Sequence, residues 1–343
     1  MSLRLSVVDQ APVRKGGTAG DALRESIALA ERADALGYER YWVAEHHSLP
    51  GIASTSPEIL IGQIAARTRT IRVGSGGVML THYSALKVAE NFRMLESLFP
   101  GRIDCGLGRA PGSDQRTAAA LAYPGPMRDV HRYPEQIDDL IGFLADDLPP
   151  SHPFRGIHAG PTPGGMPEVW LLGSGIDSAL LAAERGLPFS FAHFFGAHAG
   201  NGPAIVAAYR QHFAPSRWCA APRVHVGVMA LCAPTEAEAQ YHASSLRLAR
   251  LNLARGVNTG TASPEEALAY PYSSAELDYL ARNTTPAIVG DAVQVVGRLE
   301  EVAADYATPE LGIVTICFDF AARLRSYELI AAGARATGPT ARG

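Results

Sequence analysis

Residues 71–108 read IRVGSGGVMLTHYSALKVAENFRMLESLFPGRIDCGLG. A β-branched, apolar run at 71–80 gives way to a segment of helical period at 85–99, and a second apolar run follows at 102–108. Strand, helix, strand in that order is a parallel pair with its crossover. The unit recurs on both sides. Upstream, 3–8 and 40–43 read as strands, with helices over 21–36 and 56–68. Asp21 is the candidate N-cap of the first helix and Gly37 its stop, while Ser56 before Pro57 has the cap-then-proline order of a helix start. Downstream, a helix at 127–144 completes the fourth unit. Strand–helix pairs then fall at 169–172 and 178–185, at 189–194 and 202–212, and at 223–231 and 235–251. A further helix, 291–306, leads into a strand at 312–317, and 321–332 closes the chain.

Eight strands each followed by a helix predict an α/β fold of parallel strands with right-handed crossovers. A single (β/α)8 TIM barrel over 1–343 is favoured, although a doubly wound sheet would show the same alternation. Two stretches break the rhythm. Residues 145–167, rich in Pro, Gly and His, read as a long connection. Residues 255–286 carry several Tyr, Ser, Thr and Pro and read as an insertion over the barrel mouth, a candidate lid.

Hydrophobic residues make up 47% of the sequence and charged residues 19%, with a formal net charge of −4. That is ordinary globular composition with ample core material. The mildly acidic balance, without a Lys/Arg tract, argues against nucleic acid or an anionic membrane as partner and points to a small molecule. Cys105, Cys219, Cys232 and Cys317 form no C-x-x-C pair and read as buried free thiols. With no signal-peptide layout and no apolar run of about 18 residues, the expected location is the cytoplasm.

In a barrel enzyme the chemistry lies where strands end. The fifth strand ends in Gly173-Ser174-Gly175-Ile176-Asp177-Ser178. A glycine-rich turn entering a helix offers backbone N–H groups and the positive helix end to a phosphate. The third glycine of a dinucleotide motif is missing, and His193 with phenylalanines stands where a ribose-binding acid would be expected. A monophosphate therefore fits better than a dinucleotide, with Ser174 and Ser178 as hydroxyl donors; a tight turn with no ligand is the plain alternative. Arg109, at the end of the fourth strand, can pair with phosphate oxygens or equally form a salt bridge to Asp104 or Asp114. His46 and His47 follow the second strand. Adjacent positions point to opposite faces, so they do not make a metal pair; an imidazole there can move a proton, or be an unremarkable loop feature. Gly76 and Gly77 leave space for a planar ring, or form a simple bulge.

The segments YWVAEHH, IRVGSGGVMLTHYSALKVAENFRMLESLFPGR, IDCGLGRAPGSD and VWLLGSGIDSALLAAERGLPFSFAHFF, in this order, resemble the bacterial luciferase-like monooxygenases. The resemblance covers nearly the whole chain, apart from about 145–167 and 255–285. It implies a barrel, usually a homodimer, that uses FMN reduced by a separate flavin reductase, and O2, to oxygenate a small organic substrate. It implies His46 as the catalytic histidine, with His47 its neighbour at the flavin site. Gly76 and Gly77 fall at a non-prolyl cis peptide under the flavin ring, with Met79 beside it. Arg109, Gly173, Ser174, Gly175 and Ser178 fall at the phosphate. Tyr83, His193 and Phe194, with Phe195, are expected to line a mostly apolar substrate pocket. Gly108 replaces the cysteine that luciferase itself has beside the phosphate arginine, and Ser174 replaces a carboxylate, so light emission is not implied. Three other readings compete: a deazaflavin-dependent oxidoreductase, a non-catalytic flavin-binding protein, and a glycosidase using Glu45 and Asp104. The last leaves Arg109 and the phosphate turn unexplained.

Overall fold

The computed structural model describes residues 2–109, 114–195, 199–257 and 259–337. Eight parallel strands follow one another around it: β1 (Arg4–Asp9), β2 (Arg40–Val43), β3 (Arg72–Ser75), β4 (Ile103–Gly108), β5 (Glu168–Gly173), β6 (Phe189–Ala192), β7 (Val224–Cys232) and β8 (Glu310–Val314). Each pairs with the next, and β8 pairs with both β7 and β1. The sheet closes, so the fold is the (β/α)8 barrel and not the doubly wound alternative. Among the described residues, nine helices flank it: α1 (Ala19–Leu36), α2 (Pro57–Arg67), α3 (Ala85–Leu98), α4 (Tyr133–Leu144), α5 (Ile176–Glu184), α6 (Gly202–Gln211), α7 (Glu236–Ala254), α8 (Ala292–Asp305) and α9 (Phe320–Thr337).

Local chemistry sets the boundaries. Gly37 ends α1 in the left-handed region, at φ 80°, as expected for a glycine stop. The cap itself is Thr18, not Asp21: the Thr18 hydroxyl accepts from Asp21 N–H and Asp21 accepts from Thr18 N–H in return. The run at 71–80 is not one strand. Its ladder to β2 stops at Ser75, the Gly76–Gly77 peptide is cis, and Val78–Met79 resumes as a short strand against β4. Residues 145–167 contain no helix or strand. Arg93 of α3, almost fully buried, holds them down through Pro161 O and the Asp146 carboxylate, and also donates to Phe143 O at the end of α4.

The insertion differs from expectation. It contains two short helices, Pro264–Ala269 and Ser274–Asn283, each capped by a serine, Ser263 and Ser273. It is stapled to the loop after β1: Lys15 N–H donates to Thr261 O, and Thr261 N–H to Val13 O, both at 2.8 Å. The segment therefore stands at the C-terminal ends of the strands.

Most of the buried apolar residues fall into two packed layers, with two small clusters beside them. The larger lies between strands and helices. The smaller fills the barrel with Val8, Trp42, Trp170, Met229, Leu246 and Val314, and the two indoles meet edge to face at 5.3 Å. Below them is a charged floor. Arg40 touches Asp104 at 2.6 Å, Glu310 at 2.6 Å and Glu168 at 2.8 Å. Burial alone would lower the Arg40 pKa, but the three carboxylates outweigh it and raise it. His225, fully buried beside Trp42, is pushed by burial down to about 3 and is neutral at physiological pH.

Candidate active site at the barrel mouth

Where β2 ends, the chain places Glu45, His46 and His47 in sequence. Glu45 is almost fully buried, and its carboxylate organises this side of the mouth. It accepts from the Tyr83 hydroxyl at 2.7 Å and from Met79 N–H at 3.0 Å, and it pairs with His47 Nε2 at 2.7 Å. Tyr83 also reaches His47 Nε2 at 3.2 Å. Burial, and then the Glu45 charge, raise the Tyr83 pKa, so its proton stays on oxygen. His47, Tyr83 and Met79 thus meet through Glu45, a residue that the sequence reading placed only in the glycosidase alternative. That alternative fails on geometry: Asp104 lies on the floor, fully buried against Arg40 and Arg72.

His46 is different. Its backbone N–H donates to Ser54 O, but its ring Nδ1 is buried without a hydrogen-bond partner among the described residues. Burial lowers its pKa, with Glu45 opposing, so the ring is neutral near pH 7. A neutral imidazole with an unused nitrogen can accept or donate one proton.

Across the mouth, β5 ends at Gly173 and α5 starts after Gly175, whose extended backbone supplies no side-chain cap. Among the described residues, the first N–H groups of α5 thus have no side-chain cap. A Cβ built on Gly175 meets nothing within 4 Å, so the turn is open. Ser178 folds back over Gly173, where a Cβ would lie 2.5 Å from the serine Cβ. Arg109 is half-exposed, and its guanidinium comes within 4.0 Å of Asp177 in this turn. Neither salt-bridge partner weighed from sequence takes it: Asp104 serves the floor, and Asp114 caps the helix Gln115–Ala122. Tyr133 of α4 lies close enough to feel the Arg109 charge; its hydroxyl is buried with no partner among the described residues. No feature of the local sequence singled Tyr133 out. A helix start, a guanidinium and an orphan hydroxyl together fit a phosphate. Residues 110–113, part of the G-R-A-P-G segment, lie outside the described residues.

Gly76 and Gly77 serve the protein's own packing: a Cβ would lie 3.0 Å from Trp42 Cβ at Gly76 and 2.8 Å from Gly106 O at Gly77. Phe194 packs at the top of the inner cluster with Leu172 and Ile316. His193 does not join it. It lies in the turn after β6, and its Nδ1 is 2.8 Å from the Tyr306 hydroxyl, in the outer layer. Phe195 is exposed. All four cysteines are free and buried. Among the described residues, no helix is long and apolar enough to cross a membrane, and no cluster of three metal-ligating side chains is present.

A family model described as luciferase-like monooxygenase matches residues 3–309. A luciferase-like monooxygenase of Escherichia coli K12 is 37% identical, over 96% of each chain. An N-acetyl-S-alkylcysteine monooxygenase of Bacillus subtilis is 35% identical, over 96% of this chain and 97% of its own. The solved apo-MsnO8 structure superposes with a TM-score of 0.88 at 38% identity, covering 98% of this chain and 100% of that one. On a closed barrel, these likenesses define the class: a flavin-dependent monooxygenase. Within it, the chain belongs to the luciferase-like monooxygenase family.

Proposed function

We propose that the mouth binds FMN, reduced by a separate reductase, and oxygenates a small, mostly apolar organic substrate with O2. The observation that carries this reading is the open, uncapped turn at Gly175 with Arg109 beside it, on a barrel whose mouth also holds the unpartnered imidazole of His46. Arg109, Ser174, Gly175 and Ser178, with Gly173 giving Ser178 its room, would hold the phosphate; Tyr133 is an added donor. Gly76, Gly77 and Met79 would border the ring. Reduced flavin supplies the two electrons with which O2 gives one atom to the substrate and one to water. His46 then holds or moves a proton at Nδ1. His47 and Tyr83 are positioned by Glu45, and the insertion keeps bulk water from the mouth.

Titration with oxidised and reduced FMN, followed by oxygen uptake over a substrate panel, tests the reading. Arg109→Met should weaken FMN binding by roughly tenfold to a hundredfold, the worth of a charge-assisted hydrogen bond. Tight binding of a deazaflavin with no oxygen consumed would replace this reading with hydride transfer. Flavin binding with no turnover on any substrate would leave a binding protein.

The protein is proposed to act as a homodimer, joined through α2 and α3. Ile59 is 69% exposed, Met94 55% and Leu98 64%, and the last two are one helical turn apart. Large apolar side chains bared on adjoining helices mark an association face. Met94→Glu with Leu98→Glu should give a folded monomer in sedimentation experiments; a wild-type monomer at micromolar concentration rules the dimer out.

A further inference from the structure

Among the described residues, Arg250 has no counter-ion. It lies on α7, one turn after Leu246, so the two share a helix face. Leu246 packs into the inner barrel cluster with Trp42, Trp170 and Met229, which directs that face into the mouth. The Arg250 Nη2 is 3.2 Å from Met229 Sδ, a weak acceptor. No carboxylate pairs with it among the described residues, and residues 110–113, 196–198 and 258 include no Asp or Glu. The group is half-buried, and burial lowers its pKa with no acid opposing. The more deeply buried arginines are matched by acids, Arg40 by three, Arg323 by Asp9 at 2.6 Å and Arg93 by Asp146 at 2.7 Å. Arg102 and Arg210, half-buried like Arg250, are instead taken up by backbone carbonyls, whereas Arg250 has only a thioether. A guanidinium held partly out of water without an anion costs stability unless a ligand completes it.

Its place separates it from the phosphate cradle. Met229 is on β7, in register with Val314 at the end of β8, whereas Arg109 follows β4 and Gly173–Ser178 run from the end of β5 into α5. We infer that Arg250 receives the anionic head group of the organic substrate, a carboxylate or sulfonate, while the apolar body lies along Met229, Leu246 and Phe194. The substrate class is then an organic acid with an apolar reacting end. This rests on the reading of the mouth as a substrate chamber.

The test uses matched probes on the full-length protein: hexanoate, hexane-1-sulfonate and 3-phenylpropionate against hexanamide and 3-phenylpropanamide, followed by calorimetry and thermal shift. The acids should bind wild type about tenfold or more tightly than the amides, the scale of a charge-assisted bond. Arg250→Met should abolish that preference, leave amide binding and FMN titration unchanged, and raise or preserve the melting temperature of the free protein. Arg250→Lys should retain part of the preference. Equal binding of acids and amides, no binding of any acid, or acid binding undiminished in Arg250→Met overturns the inference. So does a marked fall in the melting temperature of free Arg250→Met, which would make Arg250 a structural residue. FMN titration of wild type is a separate readout: its failure would overturn the flavin reading while leaving an acid preference standing.

Discussion

Arg40→Leu should destabilise the protein by about 3–5 kcal/mol, the usual consequence of removing one partner from a buried charge cluster. Arg40 alone among the described residues touches Asp104, Glu168 and Glu310 together. Without it, Glu310, 3% exposed, keeps only Arg4, 3.6 Å away at the rim, and Asp104 keeps Arg72 and the Trp42 N–H. The cation now holds Glu168 down at about 2, with Arg223 helping, against burial that would raise it. Such a loss is a large share of the stability of an ordinary fold. Urea unfolding followed by tryptophan fluorescence is a direct readout, since Trp42 and Trp170 sit on the cluster. A midpoint within about 1 kcal/mol of wild type would mean that Arg4, Arg72 and Arg223 suffice.

His46→Ala should lower substrate-coupled oxygen uptake by roughly a hundredfold to ten-thousandfold, the range that positioned proton transfer contributes. FMN affinity should change little, because the proposed phosphate contacts lie on the other side of the mouth. The melting temperature should also hold, since the ring nitrogen removed has no partner to strand. His46→Asn, which keeps a polar group of similar reach but cannot titrate near neutrality, should be nearly as slow. Uptake within about threefold of wild type in both variants would take His46 out of the proton transfer.

Much of the barrel was legible because parallel strands buried on both faces appear as short apolar runs. β2 at Arg40–Val43 coincides with its reading. Legibility failed where long-range packing decides. The strand at 71–80 is interrupted at Gly76–Gly77, and the reason neither position has room for a Cβ lies in Trp42 and Gly106, far away in the chain. The role of Glu45 was hidden for the same reason, as Met79 and Tyr83 are 34 and 38 residues away. The serine–glutamate spacing at Ser263–Glu266 and Ser273–Glu276, by contrast, announces both helices of the insertion. Tyr133 and Arg250 acquire meaning only from what they lack, which a sequence does not display.

The contact between Ser178 and Gly173 couples two positions five apart. A methyl group at 173 collides with the Cβ of residue 178, and every residue except glycine has that atom. Position 173 can therefore enlarge only in a lineage in which residue 178 has already become glycine. Change at 173 is thus locked to the residue at 178, and a library randomising 173 alone should return glycine almost exclusively.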